Sequence, residues 1–225
     1  MTPWVLLDSA QVPGNGGELR LYQRGEEFSI RVAGHGELMN SRVHGSEDAL
    51  AELTCARLAD TENSRVLIGG LGMGFTLAAA LRQLGSQAQV VVAELVPAVV
   101  TWNMGPLGAL ADHPLEDPRV GVHQGDVARA LVAENEAYDA ILLDVDNGPE
   151  GLTRRENDWL YSMEGLSAAH EALRPRGVLA VWSAGPAPEF LQRLRKVGFL
   201  VDEVRVRAHG AKGSRHVIWF ARREV

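Results

Sequence analysis

Four glycines fall within six positions, GGLGMG at residues 69–74, between an apolar run and the Ala/Leu-rich stretch FTLAAALRQLG. Gly70, Gly72 and Gly74 give a G-x-G-x-G spacing on a strand-to-helix turn. In such a turn the first glycine permits the reversal, the second lets a ligand reach the bare main chain, and the third lets the next helix pack closely. Glu94 follows Gly74 by twenty residues and lies at the end of AQVVVAEL. A carboxylate there, with two acceptor oxygens, suits the paired hydroxyls of a ribose. Gly125 and Asp126 stand in VHQGDVARAL. Asp126 can accept from an adenine amino group and can also cap the helix that follows. The third glycine comes one residue too early for the G-x-G-x-x-G that sets a helix N-terminus on a pyrophosphate, and no Gly-Lys-Ser/Thr follows. A nucleoside without phosphates is the better guest.

These groups need a scaffold that brings strand ends together. From Arg65 onward the chain alternates. RVLIGG, AQVVVAEL, RVGVHQGD, YDAILLDVD and RGVLAVWSA read as strands; GFTLAAALRQLG, PAVVTWNMG, VARALVAEN, NDWLYSMEGLSAAHEALRP and APEFLQRLRKVG read as helices. The middle strands are nearly continuous in Val, Ile, Leu and Ala, as expected when helices cover both faces of a parallel sheet. The alternation predicts a doubly wound α/β fold with a mostly parallel seven-stranded sheet. FLVDEVRVRA and SRHVIWFAR form its antiparallel C-terminal hairpin. Residues 1–45 differ: GELRLYQRG and EEFSIRVAG are short alternating stretches bounded by glycine, which predict a hairpin or small antiparallel sheet. The chain thus divides into a small N-terminal β-domain, residues 1–45, and a nucleoside-binding domain, residues 46–225. HGSEDALAELTCARLAD reads as a helix with Ser46 as its N-cap.

Composition narrows the function classes. The net charge is −7, with acids and bases mixed along most of the chain, which argues against a nucleic-acid binder. Arg205, Arg207, Lys212, Arg215, Arg222 and Arg223 read as a solvated face. No export signal is visible, and no run reaches the ~18 apolar residues of a membrane span; the expectation is a cytoplasmic protein without membrane partners. Cys55 stands alone and reads as a small buried hydrophobe. The histidines show no metal-ligand spacing, so no metal is expected. His44 is singled out as a pocket group beside the acids, and Trp159 and Tyr161 read as core.

VLIGGLGMG, VVVAEL, QGD, YDAILLDVDNGPEGLTRRENDWLYS and HEALRPRGVLAVWS together resemble the spermidine synthase (polyamine aminopropyltransferase) family, over about residues 37–220. That family is a branch of the class I S-adenosylmethionine-dependent methyltransferase fold, a Rossmann-like sheet, and likewise has a small N-terminal β-domain. The resemblance implies a transferase in which Glu94 holds the ribose, Asp126 the adenine, and Asp144 is the catalytic carboxylate facing the donor sulfonium and the attacking amine. It also implies a homodimer.

An amine of pKa near 10.4 is free base only about one part in 2,500 at pH 7, a handicap of roughly 4.6 kcal/mol. A carboxylate beside it can orient the nucleophile and take its proton. Asp144 and Asp146 fall on one side of a continuing strand, a two-acid cluster suited to a cationic substrate.

The chain departs from the family in three places. The family's glycine loop carries an acid for the donor's aminopropyl amine, and Gly72 takes that place here. Its second acid lies three residues after the catalytic one, where this chain has Asn147. Its Tyr followed by His or Gln before a Glu is replaced by VHGSEDA, which assigns His44 and Glu47, with Asp146 and Asn147, to the acceptor pocket. The expected donor is therefore S-adenosylmethionine or its decarboxylated form. The loss of the acid at Gly72 favours methyl transfer from the intact molecule to a small amine, and aminopropyl transfer to a polyamine is the alternative. A non-catalytic nucleoside-binding module is the further one.

Overall fold

The computed structural model describes residues 2–14, 16–145, 149, 159–209 and 212–224. Four strands come first: β1 (Val5–Gln11), β2 (Glu18–Arg24), β3 (Glu27–Val32) and β4 (Gly36–Asn40). They pair antiparallel in chain order. The expected hairpin is the β2–β3 pair at the centre of this sheet. The outer strands were not legible. β1 is exposed along nearly its whole length, with Val5, Leu6 and Leu7 all at the surface. It therefore lacks the in–out alternation that marks a half-buried strand.

The second sheet is the predicted one. β5 (Arg65–Gly69), β6 (Gln89–Glu94), β7 (Val120–Gln124), β8 (Tyr138–Leu143), β9 (Leu173–Ser183), β10 (Leu200–His209) and β11 (Lys212–Arg222) stand in the order β10-β11-β9-β8-β5-β6-β7. Pairs from β7 through β9 are parallel, and β11 runs antiparallel between β9 and β10. The unbroken apolar runs follow from burial on both faces. Val66, Ile68, Ala140, Leu142, Val178 and Ala180 enter one core cluster, while Leu67, Ile141, Leu143, Leu179 and Val181 enter the other.

Six α-helices are described: α1 (Gly45–Cys55), α2 (Phe75–Gln83), α3 (Pro97–Met104), α4 (Val127–Ala133), α5 (Met163–Ala172) and α6 (Pro188–Val197). The first cluster also takes Leu50 of α1, Leu77 of α2 and Val99 of α3, and extends to Leu19, Leu21, Phe28 and Ile30 of the N-terminal sheet. That sheet is further pinned by β1, where the Trp102 indole N–H donates to Asp8 Oδ2 at 2.7 Å.

Two helix readings shift. Ser46 is not the cap of α1: the helix begins at Gly45 with His44 in the cap position, and the Ser46 hydroxyl donates to Glu47 Oε2 instead. The long helix expected over residues 157–175 is shorter. Ser162 caps α5 by accepting the Gly165 N–H, and Leu173 already belongs to β9. Pro175, which has no N–H to donate, is accommodated in that strand rather than in the helix. Tyr161 is buried ahead of the helix, edge-on to Phe190, and Trp159 is partly buried against the same core.

Candidate functional site

The strand order places β5 between β6 and β8, so the chain crosses over at β5 and a crevice opens beyond the carboxyl ends of these strands, where α/β sheets take ligands. Three main-chain bonds stitch the ends together. The Asp144 N–H donates to the Gly69 carbonyl, the Gly70 N–H to the Ala93 carbonyl, and the Gly125 N–H to the Glu94 carbonyl, each at 2.9 Å. In sheet order the candidate groups therefore run Asp126, Glu94, glycine turn, Asp144. At about 4.8 Å per strand, this row covers about 14 Å.

The glycine turn works by two specific requirements. Gly70 has φ +90°, and a Cβ there would run into the main-chain carbonyl of Asp144. Gly74 has φ +84° at the N-terminus of α2, and a Cβ would lie 2.9 Å from Asn103 Oδ1 and 3.2 Å from Pro114 Cγ. Asn103, buried on α3, donates from Nδ2 to the Gly72 carbonyl and so fixes the turn from behind.

Glu94 is 8% exposed. Its Oε1 accepts the Val96 N–H at 2.8 Å and its Oε2 the Leu71 N–H at 2.9 Å. Burial holds its pKa above the ordinary carboxylate value, and the surrounding N–H groups pull it back down. A carboxylate has two acceptor oxygens, which matches a pair of hydroxyls. Asp126 does cap α4, with Oδ1 accepting the Ala128 N–H at 2.9 Å, and it also lines the cavity.

Asp144 follows the last residue of β8. Thr76, in the first turn of α2, donates its hydroxyl to Asp144 Oδ2 at 2.6 Å. The Asp144 pKa is pushed up to about 7, first by burial and then by the negative charge of Glu47, against the pull of the Thr76 bond. Glu47 is itself raised by burial and lowered by the Ser46 hydroxyl. Beside it, His44 Nδ1 lies 2.7 Å from Asp48 Oδ2, and the His44 ring stacks on Phe75 at 4.1 Å.

A cavity of about 460 Å³ lies over this row, within the size range of small-molecule sites. Gly70, Gly72, Glu94, Gly125, Asp126 and Asp144 line it. Gly74 does not, because its role is in packing α2. His44 and Glu47 do not line it either: Glu47 approaches Asp144 from the α1 side. Asp146 and Asn147 lie outside the described residues. Sequence reasoning missed Thr76, Asn103 and Met39, whose sulfur lies 3.3 Å from where a Cβ on Gly72 would be. None carries a local signal beyond being a buried or half-buried residue near a turn.

The fold is that of spermidine synthases. The spermidine synthase of Thermotoga maritima superposes with a TM-score of 0.77 at 16% identity, over 98% of this chain and 73% of that one. A spermidine synthase in complex with the transition-state analogue AdoDATO gives 0.76 at the same identity and coverage. In sequence, 126 residues are 32% identical to polyamine aminopropyltransferase 1 of Streptomyces coelicolor. That match covers 55% of this chain and 23% of that protein, so the chain spans about a quarter of the curated relative's length. No family model matches the chain. The resemblance carried by the sequence motifs is borne out.

Proposed function

We propose that the chain is a transferase that moves the aminopropyl group of decarboxylated S-adenosylmethionine to a small amine. The observation that carries this reading is the row Asp126, Glu94, glycine turn and Asp144 over one cavity. Asp126 would accept from the adenine amino group, and Glu94 would take both ribose hydroxyls. The bare main chain at Gly70 and Gly72 would leave room for the sulfonium. Asp144 then meets both reacting centres. The amine nitrogen attacks the carbon bound to sulfur, and the C–S electrons return to sulfur as a neutral thioether. The nitrogen's proton leaves to the Asp144 carboxylate directly or through water.

An Asp144 pKa near 7 suits this work, since a base is most effective when its pKa is close to the operating pH. The expectation of methyl transfer from intact S-adenosylmethionine, drawn from Gly72, has no support from the similar proteins. Similarity to an aminopropyltransferase favours the decarboxylated donor. Calorimetric titration with each donor, followed by mass spectrometry of the product, tests the reading. Tighter binding of the decarboxylated form and an adduct heavier by one aminopropyl group are expected. Tight binding of the intact form alone, with a methylated product, would reverse the donor assignment.

A further inference from the structure

The wall opposite the acids is of another kind. Leu19, Ile30, Val32, Leu38 and Met39 of the N-terminal sheet, with Val12 just after β1, face the cavity. Their common face follows from register: Leu19 pairs directly with Val32, and Ile30 with Met39. The intervening residues, among them the facing pair Arg20 and Arg31, project to the other side of the same strands. The sheet therefore sorts its charges away from the cavity. His35 is the ionisable residue that the described part of this wall contributes, and it is exposed at the rim. Met39 brings the apolar surface up to the glycine turn, close to where a donor's reactive carbon would lie.

A donor laid along the acid row leaves this wall to whatever approaches Asp144. From that juxtaposition we infer that the acceptor is a monoamine with an apolar body, an alkyl or arylalkyl amine, rather than a diamine or polyamine. The inference rests on the transferase reading. An amine with one nitrogen presents its charge to Asp144 and its methylenes to Leu19, Ile30, Val32 and Met39, which gains from burial. A second ammonium further along the molecule would be stripped of water against the same side chains, with no carboxylate among the described residues of that wall to meet it.

The test is calorimetric titration of n-hexylamine, 2-phenylethylamine, putrescine and spermidine into the full chain saturated with 5′-methylthioadenosine. Transfer from the decarboxylated donor to each amine is followed in parallel by mass spectrometry. The monoamines are expected to bind at least about tenfold more tightly than putrescine. A carboxylate added to the half-buried part of the wall, Val32→Asp, should move that ratio about tenfold toward putrescine while 5′-methylthioadenosine still binds. Putrescine or spermidine binding as tightly as the monoamines, on protein that holds the nucleoside, overturns the inference and leaves the transferase reading standing. Failure to bind the nucleoside at all removes that reading, and this inference with it.

Discussion

The two walls of the cavity are held in place by different forces. On the α/β side the groups that face the cavity are fixed by the main chain. Glu94 is gripped by the N–H groups of Leu71 and Val96, Asp126 by that of Ala128, and Asp144 through its own N–H on the Gly69 carbonyl. On the other side, Leu19, Ile30, Val32 and Met39 are held by cross-strand packing. Main-chain hydrogen bonds are directional and leave little choice of side chain. Apolar packing tolerates exchange of similar volumes at modest cost. On the proposed function, the first wall is suited to a fixed donor and the second to setting which acceptor fits.

This contrast can be broken at several points. The largest expected effect is at Asp144. Asp144→Asn should lower turnover by about 10²–10⁴-fold, the usual worth of a positioned base, with donor affinity changed by only a few-fold. Turnover within tenfold of wild type would remove Asp144 from its role. The same variant has a stability signature of definite sign. Because the native pKa is raised to about 7, the folded state holds the extra proton between the unfolded value and 7. Stability of the native protein therefore falls as pH rises across that window. Asp144→Asn removes this loss, so its melting temperature relative to wild type should be higher at pH 8 than at pH 4.5.

Gly70→Ala should come next. It combines a positive φ with a collision against the Asp144 carbonyl, and a loss on the order of 2–4 kcal/mol is expected in chemical denaturation. Glu94→Gln should weaken nucleoside binding about 10–100-fold. Both oxygens now accept main-chain N–H groups, and an amide would turn a donor toward one of them. Glu47→Gln should have the smallest effect. Without the Glu47 charge, the acid limb of the pH–rate profile should move to lower pH, with the acceptor KM at optimum pH unchanged. A KM that rises at every pH would instead mean that Glu47 touches the acceptor.

The scaffold was largely legible. Runs such as VLI and AILL reveal strands buried on both faces, and the glycine turn and the helix α2 follow from local chemistry. β1 was not legible because neither of its faces is buried, so Val5–Leu7 gives no alternation to read. The start of α5 is not legible in the sequence because Trp159 and Tyr161 pack into the core in a turn ahead of the Ser162 cap. The acceptor side was the least legible. The family resemblance assigns Glu47 and His44 to the acceptor pocket; with α1 packed against α2, neither lines the cavity described above, and Glu47 acts on Asp144 from the α1 side.

The sequence by itself determined the α/β scaffold and the positions of Glu94, Asp126 and Asp144 at or beside strand ends, because strand ends and turns are written in short-range patterns of apolar, glycine and capping residues. Only the tertiary structure decided that Thr76 holds Asp144, that Glu47 charges it from outside the cavity, and that an apolar sheet face closes over the acids. Alternation along β2 and β3 announces a buried face, yet what that face meets depends on contacts between distant segments, which no local pattern specifies.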